Sequence, residues 1–272
     1  MTEHVADRPV AAVPDAEIEG KGLDYERYAL NKLFHRMVRE RGIKTVLELP
    51  AKGEKAMPSI YSIAFGEAGC PVTLVNPEPK SVWAWNALDL PVDYRSTDDV
   101  TNTGLPSRSF DLVWDFMFLS QFGDKDALLR EMKRLSKRWI MYIGVNRFNP
   151  GFFSHRMVHK LNKVPWTHGD VAFMNPFHVR SWLRERGLRV AKVGAVDTPP
   201  YPDSLGFRDM RLHRMNVDLN KIDWDSRTIH WMKAGHYPPK LKFLYFFEWL
   251  PLPWVVKLLY AHLFFVLAEK PS

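Results

Sequence analysis

The sequence predicts an α/β fold, a doubly wound and mostly parallel sheet with a late helical insertion. Short apolar runs alternate with amphipathic helical stretches from residue 45 to residue 196, and Gly42, Gly69 and Gly187 punctuate the alternation. The chain has 272 residues, 46% of them hydrophobic, which is enough for one large domain with a real core. Strands alternating with helices imply right-handed crossovers and a sheet covered on both faces.

Each element has its own signal. Residues 1–20 are polar and aperiodic and are expected to be disordered. In the run that follows, Leu30, Leu33, Phe34, Met37 and Val38 fall at helical spacing, and Gly42 stops the helix. Residues 45–49 read as the first strand, 60–68 as a helix, and 72–75 as the second strand. A helix over 80–88 and a short third strand over 92–94 come next. Residues 110–114 read as the fourth strand, 124–135 as an amphipathic helix, and 139–143 as the fifth strand. The segment 150–161 suits a helix. Asn175-Pro176 pairs an N-cap with a proline at the first helical position, opening a helix to Arg186. Residues 188–196 read as a sixth strand. From 198 to about 237 no period is visible, the stretch 241–260 is broken at Pro251 and Pro253, and 262–268 reads as a final strand. The expected organisation is a domain over 21–272 with 198–260 as a helical insertion or lid.

Composition bounds the partners. The excess of 38 Lys+Arg over 31 Asp+Glu gives +7, which favours acidic partners without choosing among nucleic acid, anionic membrane and phosphorylated substrate. The excess clusters between Arg130 and Lys163, where Glu131 is the single acid. Cys70 is the one cysteine, so no internal disulfide or cysteine metal cluster can form, and its turn setting predicts a buried, inert thiol. The apolar stretch 241–268 is interrupted by Lys242, Glu248, Pro251, Pro253 and Lys257, so no spanning helix is expected. The N-terminus lacks the pattern of a signal peptide. A cytoplasmic location follows as the expectation, with peripheral membrane contact through 241–260 as a variant.

Ligands of open parallel sheets bind beyond the carboxyl ends of the strands, where strand order reverses. The loop after the first strand, Glu48-Leu49-Pro50-Ala51-Lys52-Gly53, is therefore the first place to look. The block VLELPAKGEKAMPSI resembles the first motif of class I S-adenosylmethionine-dependent methyltransferases. VTLVN resembles their second strand, Asp98-Asp99 stands where the adenine contact falls, and LPSRSFDLVWDFMFL resembles the fourth-strand motif of the type 11 (UbiE-like) branch. The closing HLFFVLAEKP resembles the last, antiparallel strand of that Rossmann-like fold. The resemblance implies S-adenosylmethionine as cofactor. Glu48, Pro50, Ala51 and Gly53 would meet its amino-acid moiety, Asn76 its ribose, Asp98 or Asp99 its adenine, and Asp115 and Phe116 would line the cleft. Two departures stand out: the loop keeps one glycine, Gly53, and Asn76 replaces the ribose-binding acid.

Methyl transfer from a sulfonium is an in-line displacement, and a base is needed only where the nucleophile is protonated. Tyr142, Asn146, His155, His159, His168 and Asp170 fit a base by position. His168 and Asp170, two apart in one loop, could orient each other. His155 and His159 share a helical face, but no third ligand stands at supporting spacing, so no metal site is expected. The reading is therefore methyl transfer to a small or lipid-like, anionic or neutral acceptor. Its rivals are a non-catalytic binding or scaffold protein of the same fold, and an RNA methyltransferase using the basic stretch.

Overall fold

The computed structural model describes residues 21–53, 58–199 and 225–271. At its centre seven strands are ordered β3-β2-β1-β4-β5-β7-β6. They are β1 (Val46–Glu48), β2 (Val72–Val75), β3 (Val92–Arg95), β4 (Phe110–Phe116), β5 (Ser136–Val145), β6 (Arg189–Val196) and β7 (Leu263–Glu269). The first five are parallel, and β7 runs antiparallel to both β5 and β6. β6 therefore points the same way as β5. β1 and β2 are buried along their whole length, which is why they read as unbroken apolar runs.

Helices cover both faces. Along β4, Leu112, Trp114 and Phe116 enter one core and Val113 the other, following the period of two of a strand. On the first face lies α1 (Lys21–Arg41), which buries Leu30, Leu33, Phe34 and Met37 and ends before Gly42, whose φ of 62° is left-handed. Phe34 stacks on Phe65 at 4.5 Å and meets Trp114 edge-on at 5.0 Å. Phe65 belongs to α2 (Ile63–Glu67), which is shorter than the 60–68 helix expected. Its missing start is a turn in which Ser59 Oγ donates to Glu48 and Ser62 Oγ accepts from Trp114 Nε1 at 2.9 Å. α3 (Pro79–Ala87) follows β2.

The second face carries α5 (Lys125–Leu135), capped by Asp124, and α7 (Pro176–Glu185). The short α4 (Phe118–Gln121) follows β4 directly. α6 (Pro150–Leu161) and α7 open alike, with Asn149 and Asn175 accepting from the backbone two residues on. Later the chain forms α8 (Arg227–Lys233), α9 (Pro239–Leu244), α10 (Phe246–Trp249) and α11 (Trp254–Lys257). α8 was invisible in the sequence because two turns with Thr228 and Ile229 alone buried carry no period. Three short helices stand where one or two were expected. The expected disordered start and the beginning of the expected insertion, 200–224, lie outside the described residues.

The basic stretch from Arg130 to Lys163 does not form one surface. It runs through β5, ten residues and about 33 Å of extended chain. Arg130, Lys133, Arg134, Lys137 and Arg138 fall at one end of the sheet, and Arg156, Lys160 and Lys163 at the other. Several of the first group are engaged: Arg134 with Glu131 at 2.7 Å, Arg138 with Glu269 at 2.7 Å, and Lys137 with Asp111 at 3.6 Å. Cys70 is buried, its thiol 3.4 Å from the Ile43 carbonyl, as expected.

Candidate functional site

Strand order reverses between β1 and β4, and open sheets of this kind take ligands outside the carboxyl ends of the strands at that point. Glu48 closes β1 there and is 1% exposed. Burial pushes its carboxyl up to about 7, with hydrogen bonds from Ser59 and Ser62 pulling the other way. The loop beyond it is sewn to both neighbouring strands. Leu49 N–H donates to Trp114 O at 3.0 Å and Ala51 N–H to Val75 O at 2.7 Å, across the cis bond between Leu49 and Pro50. Gly53 N–H turns instead to Glu78 Oε2 at 3.2 Å.

Asn76 proves to be a clasp. Its Nδ2 donates to Thr97 O and its Oδ1 accepts from Thr97 N–H, both at 2.8 Å. An ionised acid could make only the accepting half, so an amide at this position follows from the local geometry. The backbone here has φ 53°, a conformation that asparagine tolerates. The acid at the end of β2 is Glu78, half-buried, with its pKa raised by burial against the pull of Gly53 N–H, Lys52 and Lys80. Sequence reasoning missed it because attention fell on Asn76, just past the strand, rather than two positions on. Asp98 and Asp99 are exposed. Thr101, through its hydroxyl at 2.6 Å and its N–H at 2.8 Å, holds the Asp99 carboxyl below the usual range. Asp115 is fully buried and accepts from Leu119 N–H at 2.9 Å, capping α4, and Phe116 lies 4.2 Å from the Tyr61 ring.

Among the residues expected to act on the acceptor, Tyr142, Asn146, His168 and Asp170 are not assembled as one group. Tyr142 is buried under the sheet and its hydroxyl donates to Phe173 O at 3.1 Å. Asn146 Nδ2 donates to Leu258 O at 2.6 Å and Ala261 O at 2.8 Å while Oδ1 accepts from Phe148 N–H, so it staples the late helices to the end of β5. The two therefore hold structure. His168 and Asp170 turn apart: Asp170 caps the 3₁₀ turn Val171–Met174 and faces Lys125 at 3.7 Å, while His168 Nε2 lies 3.0 Å from His159 Nε2. The mutual orientation expected of His168 and Asp170 is thus replaced by two separate arrangements, because Gly169 between them has φ 94° and reverses the chain. His155 lies with His159 and His168, so His168 is the third histidine that spacing alone did not reveal.

A further group was not read from the sequence at all. Glu248, which looked like one interruption of an apolar stretch, accepts from Thr198 N–H at 2.9 Å and from the Tyr25 hydroxyl at 3.3 Å. Burial first, and the nearby Asp197 after it, raise its carboxyl to about 7. Thr198 lies two residues past the end of β6, so the group sits at the same end of the sheet as the cleft.

Comparison with known proteins agrees with this architecture. Residues 58–138 match the family described as "Methyltransferase domain". No curated protein matches the sequence. Among solved structures, the magnesium protoporphyrin IX methyltransferase ChlM from Synechocystis PCC 6803, with bound SAH, is 11% identical at a TM-score of 0.53, covering 94% of this chain and 86% of that one. The YcgJ protein from Bacillus subtilis is 13% identical at 0.51, covering 89% and 98%. The [4+2]-cyclase SpnF is 14% identical at 0.50, covering 89% and 81%. At such identities the likeness is one of fold.

The fold is that of the Rossmann-like methyltransferases, with the terminal strand antiparallel. Within it, residues 58–138 match a methyltransferase domain, and class I methyltransferases of this fold use S-adenosylmethionine as cofactor. Among the described residues no helix is long and apolar enough to cross a membrane.

Proposed function

We propose that the protein transfers a methyl group to a small, lipid-like acceptor met at an anionic membrane surface. The observation that carries the lipid-like acceptor is apolar exposure around the mouth of the cleft. Phe243, Phe246, Trp249 and Leu259 of the late helices are each more than 60% exposed. On α6, Phe153, Met157 and Leu161 are exposed at a spacing of four, which places them along one side. Asn149 Nδ2 ties the two regions together by donating to Tyr260 O at 2.8 Å. Exposed Lys240, Lys242, Arg156, Lys160 and Lys163 flank them, a pairing of apolar and basic groups that suits an anionic interface. The basic stretch from Arg130 to Lys163 is divided between opposite ends of the sheet, which favours this reading over a nucleic-acid one.

The cofactor's donor needs match this chain's residues. Glu48 would accept from the ammonium, Glu78 from the ribose, and Asp99, with Asp98 beside it, would face the adenine edge. These acids stand at or just beyond the ends of β1, β2 and β3. When bound, S-adenosylmethionine supplies an electrophilic methyl group. The chain's part is alignment, with Phe116 and Tyr61 forming an apolar wall at the carboxyl end of β4. For a protonated nucleophile, Glu248 is the base we favour, because burial places its carboxyl near neutrality at the same end of the sheet.

The test is incubation of the protein with radiolabelled cofactor and vesicles of total lipid extract containing anionic lipid. Label in the organic phase, with sedimentation of protein on those vesicles, is the expected outcome. Cofactor binding without vesicle binding or lipid label would overturn the lipid-like acceptor.

A further inference from the structure

The structure brings three histidines into one pocket at the edge of the cleft. His155 and His159 lie on the same face of α6, about 200° round the helix from the exposed Phe153 row. His168 comes from the loop that follows. The three offer ligand atoms that all lie within 4.8 Å of one another. His159 Nε2 is 3.2 Å from His155 Nε2 and 3.0 Å from His168 Nε2. Two nitrogens bound to one zinc ion at about 2.0–2.1 Å in tetrahedral geometry would stand roughly 3.4 Å apart.

The protons point the same way. His159 Nδ1 faces the carbonyls of Pro165 at 3.1 Å and Val164 at 3.3 Å. A carbonyl only accepts, so Nδ1 carries the hydrogen and Nε2 presents its lone pair to the other two histidines. A backbone carbonyl on the far nitrogen is the usual orienting partner of a metal-binding imidazole. A hydrogen-bonded cluster would need both neighbours to donate into that single lone pair, whereas one cation satisfies three lone pairs at once.

The surroundings fix the geometry. His155 and His159 are buried, and Trp166 lies against all three rings, with centroids 4.8 to 5.4 Å away. Trp166 Nε1 is itself held by Gly169 O at 3.0 Å. At Gly169 a Cβ would come within 2.6 Å of Ser120 Oγ, and the next residue, Asp170, donates its N–H to Ser120 O at 2.8 Å. The loop carrying His168 is therefore pressed onto α4, immediately after the cleft-lining end of β4. Gly169 is needed twice over, for its φ and for this close approach.

We propose that His155, His159 and His168 bind a divalent transition-metal ion, zinc being the ion their chemistry suits best. Three neutral imidazoles favour zinc, cobalt, nickel or copper over magnesium or calcium, which prefer oxygen donors. Three protein nitrogens leave a coordination position for a water, an acceptor atom or another side chain. A bound ion at this edge would lower the pKa of an acceptor hydroxyl or thiol, and that role alone rests on the methyl-transfer reading.

The experiment is titration of the full chain, purified without a histidine tag, with Zn²⁺ in competition with a chromophoric chelator. Visible absorption with Co²⁺ is a parallel readout. One equivalent bound at micromolar affinity or tighter, with a tetrahedral Co²⁺ spectrum, is expected. His159→Ala and the loop variant His168→Asn should each weaken binding by at least about tenfold, while His178→Ala leaves it unchanged. Wild-type affinity no greater than that of a folded His155→Ala/His159→Ala/His168→Ala variant would overturn the site. So would a Co²⁺ spectrum unaffected by His168→Asn. S-adenosylhomocysteine titrated into the same sample separates the two readings, because metal binding without cofactor binding fails only the methyl-transfer one.

Discussion

The half of the sheet built from β1 to β4 and the segments 146–170 and 225–260 solve different problems. In the first, the ends of β1, β2 and β4 each carry a polar group fastened by a neighbour: Glu48 by Ser59, Asn76 by Thr97, Asp115 by the start of α4. In the second, polar groups gather from distant stretches of sequence. Three histidines come from α6 and the loop after it, and Glu248 meets Tyr25 from 223 residues away. Hydrophobic burial organises the first region and leaves its trace in local pattern. The second is organised by tertiary meeting points, with large apolar side chains left facing outward.

Substitutions sharpen this contrast. Trp114→Ala should have the largest effect, destabilising by about 3–5 kcal/mol in chemical denaturation, because the indole is fully buried against Phe34 and Phe65 and holds Ser62. An intact midpoint in that variant would break the view that β4 anchors the cofactor half. Asn146→Ala should cost roughly 2–3 kcal/mol by leaving the Leu258 and Ala261 carbonyls without their donor, yet leave cofactor affinity unchanged. A selective loss of turnover with normal stability would instead return Asn146 to the catalytic role the sequence suggested.

Glu48 makes stability depend on pH with a definite sign. Its folded pKa of about 7 lies above the ordinary 4.5, so the folded state holds the proton more tightly. The stabilisation is present below about pH 4.5 and is lost as pH rises through 7, at most roughly 3 kcal/mol for this group. Glu48→Gln should flatten that part of the profile and raise stability at pH 8, which pH-resolved denaturation would read. The smallest effects belong to the late helices. Trp249, 74% exposed, should change stability by under about 0.5 kcal/mol when replaced by Ala, while reducing vesicle binding. Trp254 packs on Phe177 at 5.3 Å, and Trp254→Ala should lower stability more than vesicle binding. Both lie in the stretch 241–260 that the sequence offers for peripheral membrane contact, and the more exposed Trp249 is the sharper test of it.

The fold was largely legible. Alternating apolar runs located all seven strands, and the Asn175-Pro176 pair located a helix start, because burial and capping act over a few residues. α8 and the shortening of α2 escaped, the former for lack of a full helical period and the latter because its serines bond elsewhere. In the site, Glu48 was legible from its place at a strand end. Glu78 and Glu248 were not, since what distinguishes them is burial and partners from other elements. The third histidine was hidden for the same reason: nine residues from His159, it is delivered only by the reversal at Gly169.

The most direct test of the account is calorimetric titration of the wild-type chain and Glu48→Gln with S-adenosylmethionine and S-adenosylhomocysteine between pH 6 and 8. Wild-type affinity should tighten as pH rises through about 7 and Glu48 ionises. The variant should bind about 10- to 100-fold more weakly at pH 8, with that pH dependence gone. Equal affinities and parallel pH profiles would contradict the assignment of Glu48 to the cofactor. No heat of binding in folded wild-type protein would contradict the cofactor site itself.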